Sequence, residues 1–189
     1  MWITITAMLF AGHTPLAAPH IAPIQDATVA PATDELQERY QALLKKYGSA
    51  RDAYRKADSA ARKKHVEDGG SRRDYKSSPA IEGGFYPEFD AIADSGHAAA
   101  GIWCLSNHSA SGLGGDAAKT DKLKRYASIL DAKPGDKALF DLLRPMKGDT
   151  RGRDPLLNKK AAFGLLDEIK AQATGTALAA RTLEEKASI

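Results

Sequence analysis

Residues 34–68 read DELQERYQALLKKYGSARDAYRKADSAARKKHVED, and apolar or small side chains return at Leu36, Tyr40, Leu43, Tyr47, Ala50, Tyr54, Ala57 and Ala61. The intervals alternate between four and three residues. Only a helix places such a series on one stripe, and a repeat near 3.5 asks that stripe to lie along another helix with left-handed twist. Asp34 with Gln37 three residues on forms a capping-box start, and Glu35 suits the positive end of a helix dipole. With Tyr40, Tyr47 and Tyr54 at the a positions and leucine or alanine at d, Gly48 takes an exposed b position. It costs about 1 kcal/mol of propensity there without opening the seam. Acid-before-base pairs Glu35 to Arg39, Asp52 to Lys56 and Asp58 to Arg62 each add about 0.2–0.5 kcal/mol on the outer side. The spacing predicts one helix from Asp34 to about Asp68, closed by Gly69-Gly70. Tyrosine buries a large ring at little rotamer cost and keeps a polar tip, so Tyr40, Tyr47 and Tyr54 are the candidate partner-binding residues. The alternative is that the seam packs on later helices of the same chain.

Upstream, Met1 to Ala11 is an apolar run of signal-peptide length, too short for a spanning helix. Small residues follow at Ala17-Ala18 and at Ala27 and Ala30, and no Lys or Arg precedes the run. Residues 1–33 are expected to be a signal peptide and flexible linker, cleaved after Ala18 or after Ala30, which implies a secreted or periplasmic protein.

Downstream, Phe85, Phe89 and Ile92 restart a helical pattern from Phe85 to Asp94, with Pro87 in the first turn and Gly96 as the close. His97 to Asn107 is apolar almost all round, as expected of a helix in the middle of a bundle, and makes a helical hairpin with its predecessor. After the break Ser109 to Gly115, Asp116 is placed to cap a helix whose core side is Leu123, Tyr126, Ala127 and Leu130. Pro134-Gly135-Asp136 starts a short helix with Leu139, Phe140, Leu142 and Leu143. Asp154-Pro155 signals a helix carrying Leu157, Ala161, Leu165 and Ile169, and a last one is expected from Thr176 to Ala187. Period-two alternation occurs only at Ile3 to Thr6. The fold class is therefore all-α, an irregular bundle or stack of helical hairpins with a long N-terminal helix, over a single domain 34–189.

The composition, 43% hydrophobic and 27% charged over 189 residues with net charge +3, suits one domain. Two stretches are basic. Arg62 to Lys76 sets six basic residues against three acids, and Arg144 to Lys160 sets six against two. Both read as solvated loops, and a nucleic-acid footprint is the alternative. Cys104 is the single cysteine, which excludes an internal disulfide, a CxxC pair and a multi-thiolate zinc site. In Ala98 to Leu105 its expected role is a small buried hydrophobe, and a thiolate site with His97 or His108 and the acids Glu88, Asp90 and Asp94 is the competing reading. Histidines at 13, 20, 65, 97 and 108 lack metal-ligand spacing, and Gly112 to Lys119 fails as a phosphate loop because Ala118 stands where glycine must precede the lysine. Neither a metal nor a cofactor is implied.

From Asp34 to Ala173 the order of parts resembles the helical region that precedes a thioredoxin-like redoxin domain in some exported bacterial proteins. The resemblance lies in the long Tyr-bearing first helix, Tyr86-Pro87-x-Phe89-x-x-Ile92-Ala93, the Ala-rich helix ending Ile102-Trp103, Phe163-Gly164-Leu165 and Lys170-Ala171-Gln172-Ala173. No redoxin domain lies within the 189 residues and no CxxC is present, so thiol chemistry does not carry over. The resemblance implies an exported bacterial module whose protein partner is of redoxin or envelope type. Three functions are thus in view. The first is a non-catalytic exported interaction or scaffolding module; the second is a small helical enzyme using Cys104; the third is a cytoplasmic nucleic-acid-binding protein.

Overall fold

The computed structural model describes residues 33–151 and 155–189, in seven α-helices and one 3-10 turn with no strand among them. The helices are α1 (Thr33–Glu67), α2 (Glu82–Asp94), α3 (Ala98–Ser106), α4 (Gly115–Asp131), α5 (Asp136–Asp149), α6 (Lys159–Gln172) and α7 (Thr176–Ser188), with the 3-10 turn His108–Ser111 between α3 and α4. Among the described residues no helix is long and apolar enough to cross a membrane. The expected signal peptide and linker fall outside the described residues, Thr33 excepted.

The nine residues of α3 organise the rest. Its sequence is apolar all round because it serves two cores. Ala100 and Cys104, both fully buried, face Leu36, Leu43 and Tyr47 of α1 and Phe89 and Ile92 of α2. Ile102 and Leu105 face the other way, into a core built from α4, α5, α6 and α7 around Tyr126, Leu139, Leu142 and Leu166. Gly96, at φ +92°, makes the turn from α2 into α3, and the imidazole of His97 then caps α3 by accepting the Ala100 N–H. The expected helical hairpin is therefore present.

With 35 residues, α1 is about 50 Å long, more than twice the length of α2 beneath it. The seam packs on helices only as far as Tyr47. Beyond it Ala57 and Ala61 are exposed. The segment returning toward α2 takes over, with the Tyr75 hydroxyl donating to the Asp58 carboxylate at 3.0 Å and the Tyr54 hydroxyl donating to the Ser78 carbonyl at 2.6 Å. The 3.5-residue repeat continues where its helical partner does not, because alanine at d buries too little to require one.

Four local expectations are corrected. In α4 the buried face is Tyr126, Ile129 and Leu130, while Leu123 and Ala127 are exposed. Gly101 explains this, since α4 lies so close to α3 there that a Cβ at Gly101 would come within 2.9 Å of the Ile129 side chain. Asp116 is not the cap of α4; Gly114 holds that position, and Asp116 sits in the first turn. Helix α5 runs through Pro145 to Asp149, so the basic stretch from Arg144 begins as helix rather than loop, drawn on by buried Met146. Helix α6 starts at Lys159 rather than at Pro155, with the Asn158 side chain accepting the Ala161 N–H at 2.9 Å, and its inner face is Ala162, Leu166 and Ile169. Leu157, 1% exposed, anchors the preceding stretch in the core and holds it out of the helix. Asp154 lies outside the described residues.

Candidate functional site

The three seam tyrosines meet different fates. Tyr47 is 7% exposed, edge-on to Trp103 at 5.3 Å and to Phe85 at 5.4 Å, with its hydroxyl donating to Glu82 at 3.0 Å. Most of its ring area is thus already buried inside the chain. Tyr40 is half-buried, 4.4 Å from the His97 ring. Tyr54 is half-buried and tied to the loop through Ser78.

The structure brings several residues of the thiol reading together, Asp94 with His97 along one small cavity and Asp90 with His108 through Arg125 and Asp121, but among the described residues none hydrogen-bonds Cys104. Cys104 has no exposed surface, burial pushes its pKa up to about 12, and among the described residues no hydrogen bond reaches the sulfur. His97 Nδ1 accepts the Ala100 N–H, so Nε2 carries the proton and donates to the Gln37 carbonyl oxygen at 2.8 Å. Burial lowers the His97 pKa and keeps the ring neutral. His108, 5% exposed, bonds Asp121 through Nε2 at 2.9 Å. Asp121 also accepts Arg125 Nε at 2.7 Å, and Arg125 reaches Asp90 on α2. Burial alone would raise the Asp121 pKa, but the Arg125 and His108 donors outweigh it and hold the carboxyl below its usual range. This chain of groups ties α2, the 3-10 turn and α4 together around Tyr86, whose hydroxyl is buried without a partner among the described residues. It contains no activated nucleophile. No three metal-ligating side chains gather among the described residues.

The basic stretches also separate. Arg62 and Lys63 are spent on ion pairs within α1, to Asp58 at 3.7 Å and Glu67 at 3.6 Å. Arg144 instead stands on α5 at the edge of a surface groove.

That groove is built from three helices. Helix α1 forms one wall, α5 the other and α3 the floor. One stretch of about 770 Å³ runs past Tyr40, Leu44, Ile102, Trp103 and Ala138. A second, of about 480 Å³, shares Leu44, Trp103 and Arg144 with the first and continues past Tyr47, Arg51 and Glu82. Trp103 lies at the centre. Its ring stacks on Phe89 at 3.8 Å with 18° between planes, so the indole is fixed from beneath and half-buried. An apolar floor with a rigid aromatic suits a chain segment that brings apolar side chains.

The seam repeat points to Tyr40 and Tyr47 but not to Leu44, Arg51, Trp103 or Arg144. The signal for Leu44 was the Leu43-Leu44 doublet, which widens the apolar stripe on one side. No family model matches the chain, and no curated protein or solved structure matches it.

Proposed function

We propose that the chain is a non-catalytic helical interaction module, exported from the cytoplasm to the periplasm or beyond, and that an apolar segment of a partner protein docks in the groove between α1 and α5. The observation carrying this reading is Trp103, held rigid by Phe89 yet half-exposed on the floor of a long groove. Export is supported by the apolar run Met1 to Ala11 and the small residues behind it. The resemblance in the order of helices favours a redoxin-type or envelope protein as the partner.

The test uses the full chain in its natural host with a photo-crosslinking residue at exposed Ser106, beside Trp103, and a control at exposed Ser49 on the outer side of α1. The expected result is an adduct from position 106 only, mapping by mass spectrometry to one segment of one partner and lost when Leu44→Gln is added. Equal adducts from both positions, or an adduct indifferent to Leu44→Gln, argue against the groove. N-terminal sequencing of the same material should begin after Ala18 or Ala30. Intact Met1 in the cytoplasm would remove export.

A further inference from the structure

The two ends of the groove differ in charge. At the end near Gly135, Lys137 pairs with Asp141 at 3.0 Å, and the Asp136 carboxylate accepts the Thr174 and Gly175 N–H groups at 2.9 and 2.7 Å. Those charges are engaged inside the chain. At the other end Arg51 of α1 and Arg144 of α5 are both exposed and lie across from one another beside Trp103. Neither makes an ion pair among the described residues. Arg55, one turn along α1 from Arg51, acts with it on the Tyr47 hydroxyl. The carboxylate lining this end, Glu82, is occupied by the Tyr47 hydroxyl at 3.0 Å. Arg51 and Arg144 therefore line this end of the groove together with a single carboxylate, Glu82.

Resting on the reading of the groove as a docking site, we infer that its occupant is an apolar helical segment with carboxylates at one end, seated so that its acids meet Arg51 and Arg144 while its apolar face covers Trp103 and Leu44. Guanidinium presents a planar fork that pairs with carboxylates in a fixed geometry, so the basic end sets the direction of the segment as well as its sign. Amphipathic helices bind grooves of this kind through apolar anchors at i, i+3, i+4 and i+7. Complementary charge then selects among them.

The experiment is selection of a phage-displayed library of helix-biased peptides on the full chain, with binding of the enriched peptides measured by calorimetry. The expected result is enrichment of peptides with an apolar face and acids clustered at one end. Their affinity should fall about tenfold or more in Arg51→Gln/Arg144→Gln, fall again in Leu44→Gln, and weaken as salt rises. Both arginines are exposed and unpaired, so the double variant should keep the parental urea midpoint. Apolar peptides without acidic bias, sensitive to Leu44→Gln but not to the arginine changes, would overturn this inference and leave the docking site standing. No enrichment on the groove would overturn both. A dimer of the full chain that Leu44→Gln dissolves would give the groove to a second copy and likewise overturn the acidic segment.

Discussion

His97 and Cys104 stand seven residues apart and show how a side chain's neighbours decide its chemistry. Cys104 lies in an apolar run, and its burial was legible there, since every nearby residue in sequence is small or apolar. With its pKa near 12, the native thiol should react with a thiol probe only as fast as the protein opens, and denaturant should release the block. Rapid native labelling at pH 6 would contradict this burial. His97 was legible only as a lone histidine, because Gln37 lies sixty residues earlier in sequence. Its lowered pKa gives a testable sign. The unfolded ring titrates near about 6.5, so the unfolded chain binds the extra proton first as pH falls. The stability that neutral His97 contributes is complete above that value and is lost below it, toward the lower folded pKa. Asp121 and Glu185, whose folded pKa values are depressed, contribute above their unfolded values, so their loss comes only below about pH 4. His97→Asn keeps a capping oxygen and removes the titration. The gap in urea midpoint between parent and variant should narrow from pH 7 to pH 5; a constant gap would contradict the assignment.

At the level of the helix, a periodic pattern marks where a face is but not where its partner stops. The bounds of α1 follow from the Asp34 region and Gly69, yet the same repeat runs unchanged from packed Tyr47 to exposed Ala57. Tyr47→Asp should therefore cost about 3–5 kcal/mol by placing a charge among packed rings, whereas Ala57→Asp should stay within about 0.5 kcal/mol. Equal urea midpoints for the two variants would contradict the packing of α1. The inner face of α4 departs from its sequence period for a related reason. Leu123 and Ala127 fit a helical period, but the close approach at Gly101 turns Ile129 inward, and contact between helices is not written in either helix alone. Gly101→Ala should cost about 1–3 kcal/mol through overpacking against Ile129. Adding Ile129→Val should recover part of the loss, and equal stability of parent and Gly101→Ala would remove the close contact.

Across the whole molecule, α3 belongs to both cores, and its all-round apolar sequence was the sign of a central position. What the sequence did not show is the groove, which arises between helices drawn from residues 33–67 and 136–149 and has no local pattern of its own. Trp103 was visible as the end of an apolar run, and Arg144 as one member of a basic stretch. That they stand together with Arg51 at one mouth depends on the way α1 and α5 flank α3. The chain's other tryptophan, Trp2, can be replaced by Phe so that Trp103 alone emits. Collisional quenching of that emission by iodide and by caesium, at matched ionic strength and in the free protein, measures both the opening of the groove and the sign of its charge. Iodide should quench Trp103 well and caesium poorly, and Arg51→Gln/Arg144→Gln should bring the two together. Emission untouched by either ion, or quenched equally by both in the parent chain, would contradict an open groove with a basic end.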